Sequence, residues 1–286
     1  MRIILSRKGF DSSAGGVPSP IFPDGRLCSL PIPTFPREEE KTRYSQVSWE
    51  WEGKNLGDIV EQLTKDEIRS DHGVHLDPDI NPQAVLRCAG WQPIFGQTGA
   101  AESHLKNRGV DVGDVFLFFG WFKRVEVAGG KVSYVAKAPD LHVLFGWMQI
   151  GEIHRVDDVP TSMLEWARYH PHFGRCPDCL NTVYIAKAKM DLPGMTSVPG
   201  AGLFRQFRPQ ICLTVSDSKR SQWFLPSWFY PPNPKFALSY HSAMWRWQRE
   251  RNGVYLKSAS RGQEFVLDCS HYPHALEWLK GLLDHV

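Results

Sequence analysis

Two apolar runs of strand length occupy the middle of the chain, one from Val115 to Phe122 and one from Val143 to Ile153. Neither alternates strictly between apolar and polar residues, which predicts strands that are covered on both faces. The run from Val115 to Phe122 falls far short of the roughly 18 apolar residues that span a bilayer. The sequence therefore predicts a buried sheet and no membrane partner.

Helical patterns lie mainly before and after this strand-rich region. Apolar residues repeat at helical spacing over 56–63 and 276–283, and a further helix is predicted over 99–109. A shorter helix is predicted over 162–169 and a later strand over 211–215. Because strands and helices do not alternate regularly, we predict an α+β (mixed α/β) fold with a central, largely antiparallel or mixed sheet flanked by helices.

The domain organisation is predicted to be simple. A length of 286 residues allows one large domain or two modest ones, and no compositional break divides the chain. We therefore expect a single domain over 1–286. The segment 191–202, with two Pro and three Gly, is the best candidate for an inserted loop, and residues 37–43 are predicted to be a solvated connection.

Charge and aromatic content limit the function classes. A net charge of +2 argues against tight, sequence-blind binding through many phosphates. The 11 Trp, 16 Phe and 8 Tyr leave open the recognition of one flat ligand by a few side chains. The N-terminus lacks the apolar core of a signal peptide, so we expect a cytoplasmic protein.

Familiar nucleotide and hydrolase fingerprints are absent from the sequence. There is no phosphate-binding Gly-x-x-x-x-Gly-Lys, no Gly-x-Gly-x-x-Gly after a strand, no Gly-x-Ser-x-Gly and no His-Glu-x-x-His. Kinase, dinucleotide-dependent oxidoreductase and ordinary hydrolase functions therefore lose most of their support. No cofactor is predicted.

The loop after the first predicted strand combines charge, hydroxyls and glycines. Lys8, Asp11 and Ser12 lie in Ser6-Arg-Lys-Gly-Phe-Asp-Ser-Ser-Ala-Gly-Gly16, which offers polar groups and close backbone access to a ligand. A local turn held by the Asp side chain, with a salt-bridged Lys, is the structural alternative.

Three further motifs place polar residues at the ends of predicted elements. Asp77 and Asp79 can converge on a water, a sugar or a metal, or one can cap a helix. Gln97 and His104 belong to a segment at a predicted helix start, where an amide can read a base edge. Gln263 and Glu264 enter an apolar strand, where uncompensated polar groups are costly.

A zinc site is a weaker alternative to these polar loops. His170-Pro-His172 lies just before Cys176-Pro-Asp-Cys179, but one Cys-x-x-Cys pair is half of a strong zinc pattern and the spacing fits no standard finger. Inert thiols and ordinary turn histidines are the alternative, and we predict no metal.

Two tryptophans occur in similar glycine-flanked settings. Trp121 lies in Phe-Gly-Trp-Phe and Trp147 in Phe-Gly-Trp-Met. Glycine beside an aromatic residue in a strand lets a flat ligand such as an extruded base approach. Packing in the core is the alternative, and we expect it for at least half of the large aromatic residues beside the polar motifs.

Taken in order, these motifs resemble a known family. Arg7-Lys-Gly-Phe-Asp-Ser-Ser, His75-Leu-Asp-Pro-Asp, Gly96-Gln-Thr-Gly-Ala-Ala, His142-Val-Leu-Phe-Gly-Trp-Met-Gln and Arg261-Gly-Gln-Glu-Phe-Val resemble the third family of nucleotide-modification-associated domains. The resemblance covers almost the whole chain. It implies an intracellular protein of bacteria or their viruses, from systems that make, read or attack modified DNA bases. It draws attention to the following residues: Lys8, Asp11, Ser12, Asp77, Asp79, Gln97, Gln149, Gln263 and Glu264.

The sequence and the resemblance together predict an enzyme acting on DNA that carries modified bases, and they favour a DNA glycosylase of a base-modification or anti-phage system. Asp11 would stabilise positive charge on the sugar, with Asp77 or Asp79 as an alternative base. Lys8 would bind phosphate or attack the sugar as an amine. Gln97 and Gln263 would read the base.

Trp121 or Trp147 would stack on that base, while Ser12, His104, Gln149 and Glu264 complete the predicted substrate-binding set. A non-catalytic reader of modified DNA and a transferase that modifies bases or nucleotides are the alternatives. The oligomeric state is not predicted.

Overall fold

The structure is a computed structural model, and it describes residues 1–34, 42–160, 162–175, 177–215 and 218–284. Most of the predicted connection over 37–43 lies outside the described residues. In chain order the strands and α-helices of the described part are β1 (Arg2–Arg7), β2 (Ser19–Ile21), α1 (Leu56–Thr64), β3 (Ile94–Gln97), α2 (Gly99–Asn107), β4 (Val115–Ala128), β5 (Lys131–Tyr134), β6 (Leu141–Arg155), β7 (Thr182–Ala186), β8 (Ala201–Leu203), β9 (Gln222–Leu225), β10 (Trp247–Glu250), β11 (Gly253–Lys257), β12 (Glu264–Asp268) and α3 (Ala275–Leu283).

The central sheet is mixed, as the sequence predicts. Its main path through the described residues runs β12-β1-β4-β6-β7-β3, with β2 and β5 paired to β4 and β8 paired to β6. The β1–β4 and β2–β4 pairs are parallel and the other pairs are antiparallel. A second sheet of three antiparallel strands has the order β10-β11-β9. The predicted α+β class is confirmed.

Strand β4 is covered on both faces because its apolar run continues without polar interruption. Phe118 packs edge-on against Phe95 on one side, with ring centroids 5.3 Å apart. Its neighbour Phe119 packs against Trp223 and Phe265 on the other side. Alternation along the strand sends these consecutive rings to opposite faces, so both faces of the sheet are buried.

The sheet curves far enough for its two ends to meet through side chains. Gln97 ends β3, at one end of the strand order, and its Nε2 donates to Glu264 Oε1 of β12, at the other end, at 2.7 Å. Helix α2 begins two residues after Gln97. Polar groups that are far apart in the strand order are thereby brought together.

The predicted helices over 56–63, 99–109 and 276–283 are present as α1, α2 and α3. Asn55 caps α1 by accepting from Asp58 N at 3.0 Å, and the Asp58 side chain accepts from Asn55 N in return. This reciprocal cap satisfies two N–H groups at the helix start.

Two local predictions are wrong. Residues 211–215 form no strand. Ile211 ends a 3₁₀ turn (Pro209–Ile211), and the residues after it make only isolated bridges, including Val143 to Cys212. The helix predicted over 162–169 is reduced to a 3₁₀ turn (Glu165–Ala167) without a side-chain cap. In the segment 191–202, Leu192 and Met195 are buried in the main core, and β8 begins at Ala201.

Candidate functional site

The two faces of β1 carry different groups of polar side chains. Ser6 pairs with Glu264 across the antiparallel β1–β12 register, whereas Arg7 N–H donates to Gln263 O at 2.8 Å. Side chains alternate between the faces of a strand, so Arg7 and Gln263 project to one face, and Ser6 and Glu264 to the other. This alternation divides the predicted site residues into two groups.

A cavity of about 300 Å³ lies on the Arg7 face, and we call it the arginine cavity. It forms where the end of β1, the middle of β4 and the start of β6 meet the loop after β1 and the residues before β12. Asp11, Ser12, Trp121 and Gln263, all predicted site residues, lie in its wall. Its lining consists of Arg7, Phe10, Asp11, Ser12, Ser13, Trp121, His142, Arg220, Ser260, Gly262 and Gln263.

Asp11 is held in a tight turn at this cavity. Its Oδ1 accepts from Ser13 N and Ser13 Oγ, both at 2.7 Å, and from Ala14 N at 2.8 Å. Burial raises the pKa of this carboxyl, but the hydrogen bonds and the Arg7 guanidinium outweigh burial and bring the pKa below its ordinary value. The structural turn that the sequence allowed is present, and it presents an ionised carboxylate to the cavity.

Two guanidinium groups make the arginine cavity cationic. Arg7 Nη2 donates to Ser260 O at 3.1 Å and also to Gly262 O. Burial lowers the pKa of Arg7, yet a guanidinium in a protein keeps its charge. Arg220 adds a second positive charge to the lining, and Asp11 is the one carboxylate among the described lining residues. Such a balance suits an anionic ligand such as a phosphate.

Trp121 presents an indole ring in the same cavity. Its Nε1 donates to Asp140 Oδ1 at 2.8 Å, which fixes the ring, and the Arg220 guanidinium lies 4.1 Å from the ring centroid. One ring face is therefore covered by Arg220. Both an indole face and a guanidinium plane can stack on a nucleobase.

His142 contributes a neutral imidazole with a defined tautomer. Trp223 Nε1 donates to His142 Nδ1 at 2.9 Å, so the ring proton of the neutral form lies on Nε2. Burial, reinforced by Arg220 and Arg7, lowers the pKa of His142 to about 3. His142 is therefore a permanent hydrogen-bond donor and not a cation at neutral pH.

The opposite face of β1 holds a buried ionic group that we call the Glu264 cluster, consisting of Lys8, Gln97 and Glu264. Lys8 Nζ lies 2.7 Å from Glu264 Oε1, and Gln97 Nε2 donates to the same oxygen at 2.7 Å. The Lys8 ammonium also lies 4.6 Å from the centroid of the Phe95 ring. These three predicted residues are brought together, but away from Asp11.

Glu102 adds a second carboxylate near the Glu264 cluster. Tyr184 OH donates to Glu102 Oε2 at 2.7 Å, whereas Glu102 Oε1 and Glu264 Oε2 are buried without a hydrogen-bond partner. Burial raises the pKa of Glu102, and the charge of Glu264 adds to the rise.

His104 lies on α2 and contacts Ser239: its Nε2 is 2.9 Å from Ser239 Oγ. Burial lowers the pKa of His104.

Asp79 is neutralised by a side chain that the sequence did not reveal. Arg87 binds it in a bidentate pair, with Nη1 to Oδ2 and Nη2 to Oδ1 both 2.6 Å, and Tyr169 OH donates to Oδ2. The Asp79 side chain is fully buried. Both of its oxygens are occupied, so Asp79 does not share a ligand with Asp77 in this structure.

Asp77 lies instead among histidines. Its Oδ1 accepts from Gly96 N at 2.9 Å and lies 3.4 Å from His170 Nε2. Its Oδ2 lies 3.6 Å from His172 Nε2 and 3.9 Å from His75 Nε2. Burial alone would raise the pKa of Asp77, but His170 and His172 hold it well below its ordinary value.

The zinc set that the sequence offered as an alternative is not assembled among the described residues. His170 and His172 are buried beside Asp77, whereas Cys179 is exposed. Cys176 lies outside the described residues. The two histidines therefore belong with Asp77 and His75, not with Cys179.

Trp147 and Gln149 take structural positions on β6. Trp147 is 3% exposed, packs on Phe204 and donates its indole N–H to Pro199 O at 3.1 Å. Gln149 donates to Gly113 O at 3.0 Å and accepts from Asp191 N at 2.6 Å. Stacking of a ligand on Trp147, which the sequence allowed, is therefore not available: its ring is enclosed by the core.

A larger cavity of about 360 Å³ lies elsewhere in the fold. Asp77 and Asp79 line it, together with apolar side chains that include Trp49, Phe145 and Phe204. None of the residues that line the arginine cavity lines this one. The predicted site residues therefore do not share one pocket. They divide among the arginine cavity, the Glu264 cluster and the surroundings of Asp77 and Asp79, and His104, Trp147 and Gln149 lie in none of these.

Sequence reasoning missed several residues that shape these places. The sequence motifs contain His75 and His142 but predict no role for them, and no motif includes Arg87 or Tyr169. The partners of Tyr169 and His142 lie 90 and 81 residues away along the chain, so no local spacing reveals these two residues. His75 and Arg87 lie close in sequence to the aspartates that they contact, Asp77 and Asp79.

Fold and site together define an α+β protein with a cationic, aromatic-walled cavity in which Asp11 is the one carboxylate among the lining residues that the structure describes. A sequence model described as Nucleotide modification associated domain 3 matches residues 2–268. The chain belongs to this family, and this confirms the resemblance and associates the protein with nucleotide modification systems.

No curated protein and no solved structure matches the chain. No helix in the described ranges is long and apolar enough to cross a membrane.

Proposed function

We propose that the protein binds a modified nucleobase of DNA in the arginine cavity and hydrolyses its N-glycosidic bond, within a base-modification or anti-phage system. One observation carries the proposal: the ionised carboxylate of Asp11 shares a cavity of about 300 Å³ with two guanidinium groups and an indole ring. Family membership supports the association with modified nucleotides.

Recognition would use an extruded nucleotide, because a base stacked inside a duplex cannot enter a cavity of the protein. Arg7 and Arg220 would attract the phosphates on either side of it. The base would stack on the indole of Trp121 or on the Arg220 plane above it, and the Gln263 amide would read its polar edge. Few phosphates are engaged in this mode, in keeping with a net charge of only +2.

Cleavage would be hydrolytic. As the bond between the sugar C1′ and the base nitrogen breaks, its electron pair leaves with the base and positive charge develops on the sugar. Asp11 would stabilise that charge and orient the water that attacks C1′. The proton that this water loses would pass by way of the Asp11 carboxylate and solvent to the nitrogen of the departing base, so that the products are a neutral base and an abasic sugar. His142 would donate its Nε2–H to the departing base, as a hydrogen bond and without becoming a cation.

This scheme assigns no chemical step to Lys8, Asp77 or Asp79. Lys8 is bound to Glu264 at 2.7 Å on the other face of β1, so attack by its amine is not part of the proposal. Asp79 is held by Arg87. The mechanism thus depends on the carboxylate of Asp11 alone.

The test is formation of abasic sites. Purified protein is incubated with single- and double-stranded DNA that carries 5-hydroxymethylcytosine, 5-hydroxymethyluracil or 7-deazaguanine, and with unmodified DNA, and abasic sites are scored by alkaline strand cleavage. We expect cleavage of at least one modified DNA and none of the unmodified DNA. Absence of abasic product from every modified DNA would refute the hydrolase.

Matched variants separate an enzyme from a reader. Asp11→Asn should abolish product while leaving DNA binding measurable. Asp268→Asn is the control, because Asp268 Oδ1 also accepts from the N–H and the hydroxyl of a serine two residues later, at 3.0 and 2.8 Å. Equal binding by all three proteins with no product from any of them would indicate a reader. A gain in DNA mass would indicate a transferase.

A further inference from the structure

The residues around Asp77 form a group of donors that the proposed hydrolysis does not use. One ligand atom from each of His75, Asp77 and His172 lies within 4.8 Å of the other two. All three side chains are buried, with exposed fractions of 9%, 6% and 3%. Two imidazole nitrogens and one carboxylate oxygen converge from separate segments of the chain.

We propose that His75, Asp77 and His172 bind a divalent transition-metal ion. Zinc lies about 2.0–2.2 Å from nitrogen and oxygen ligands, so two ligands of a tetrahedral site are about 3.4 Å apart. The two distances from Asp77 Oδ2, 3.6 Å to His172 and 3.9 Å to His75, exceed that value by a few tenths of an ångström. They are also longer than hydrogen bonds.

The chain fixes this group with contacts that leave the donor atoms pointing inward. Asn181 Oδ1 lies 2.6 Å from His172 Nδ1, so the other ring nitrogen faces Asp77, and Asn181 Nδ2 donates to His172 O at 2.8 Å. Gly96 N–H occupies Asp77 Oδ1 and leaves Oδ2 to the two histidines. Outer contacts of this kind orient the ligands in metal sites.

Gly96 also makes room for His172. A Cβ atom at this position would lie 2.2 Å from the His172 ring, closer than real side chains approach. Only glycine lets the imidazole lie flat on strand β3 and reach Asp77. The glycine at position 96 of strand β3 is therefore required by the position of the His172 ring.

His170 supplies an independent sign that a polar partner belongs here. It is 1% exposed, and neither of its ring nitrogens has a hydrogen-bond partner. Its Nε2 lies 3.4 Å from the other oxygen of Asp77. A buried imidazole without a well-aligned hydrogen bond is costly, so the surroundings of Asp77 hold one more imidazole nitrogen than their own hydrogen bonds satisfy.

The contrast with Asp79 points to a cation. Asp79 is compensated by the Arg87 guanidinium, whereas Asp77 contacts one backbone N–H and three imidazoles. Imidazole and carboxylate donors suit zinc or iron(II) and disfavour calcium and magnesium, which prefer oxygen alone. Asp77 also lines the larger cavity, which gives the site a route for the ion.

The experiment measures metal binding directly and needs no activity. Protein without a histidine tag is purified without chelator, and its metal content is determined by mass spectrometry. It is then stripped and titrated with Zn²⁺ by calorimetry, and with Co²⁺ by visible absorption. We expect one equivalent of either ion, and a visible Co²⁺ spectrum typical of nitrogen and oxygen ligands.

Variants locate the ion. Asp77→Asn keeps an oxygen for Gly96 N–H, so it should fold, and it should lose the Zn²⁺ equivalent, as should His172→Ala. Asn181→Ala should weaken Zn²⁺ binding about 10- to 100-fold. His154→Ala is the control, because His154 also pairs with a carboxylate two residues away, Glu152 at 2.7 Å, but it lies outside the group. Circular dichroism checks the fold of each variant.

The outcomes are decisive in both directions. Stoichiometric binding by the wild type and by His154→Ala, lost in folded Asp77→Asn, establishes the site. Failure of the wild type to bind one equivalent of Zn²⁺ or Co²⁺ overturns it, and so does equal binding by Asp77→Asn. None of these results depends on DNA cleavage, so the metal site is tested independently of the proposed hydrolase activity.

Discussion

Replacing His142 by glutamine should make the folded chain less sensitive to acid. The folded state holds this imidazole neutral, with a pKa of about 3, because it is buried beside Arg220 and Arg7. The unfolded chain protonates it at the ordinary value near 6.5. Below that pH the unfolded state binds a proton that the folded state excludes, so the free energy of unfolding falls as the pH falls.

The size of the effect follows from the two pKa values. Each pH unit between them costs about 1.4 kcal/mol of unfolding free energy, so lowering the pH from about 7.5 to about 5 removes about 2 kcal/mol through His142 alone. At neutral pH the substitution itself should cost about 1–3 kcal/mol, because the indole N–H of Trp223 loses its acceptor at 2.9 Å unless the glutamine oxygen replaces it. The deficit of the variant should therefore shrink or vanish in acid.

Urea unfolding of the wild type and His142→Gln at both pH values measures the difference, and the contributions of all other titrating groups cancel. His154→Gln, on the same strand and partly exposed, is the matched control. A stability difference between His142→Gln and wild type that is equal at both pH values would show that the fold does not hold His142 neutral.

Three further predictions concern single positions. Gly96→Ala should lower stability by at least about 1–3 kcal/mol, because the added Cβ would lie 2.2 Å from the His172 ring, and a thermal melt checks it. Arg87→Met should cost about 3–5 kcal/mol in chemical denaturation, since it leaves Asp79 buried without its cation; a loss below 1 kcal/mol would contradict this. Arg220→Ala should weaken DNA binding and reduce the salt dependence of the binding constant by about one phosphate contact, as followed by fluorescence anisotropy; an unchanged slope would remove Arg220 from the interface.

The fold was predictable wherever a pattern in the sequence is local. The uninterrupted run from Val115 to Phe122 predicts a strand buried on both faces, and the cap at Asn55 marks the start of α1. Residues 211–215 have the same apolar character but lie beside the sheet with isolated bridges. Propensity could not distinguish these cases, because strand formation depends on which partner edge is free.

The site was only partly predictable, because strand alternation separates sequence neighbours. Gln263 lines the arginine cavity, whereas the next residue, Glu264, binds Lys8 on the opposite face. Asp77 lies among histidines, whereas Asp79, two residues later, pairs with an arginine. The motifs identify which residues are polar and constrained, but only the strand register and distant partners decide which of them share a cavity.

The most direct test of the account is the structure of Asp11→Asn bound to DNA carrying a modified base. We predict that one nucleotide is extruded, with its base in the arginine cavity beside Trp121 and its phosphates near Arg7 and Arg220. A base bound in the larger cavity beside Trp49, or DNA bound with no base in the arginine cavity, would contradict the proposed function.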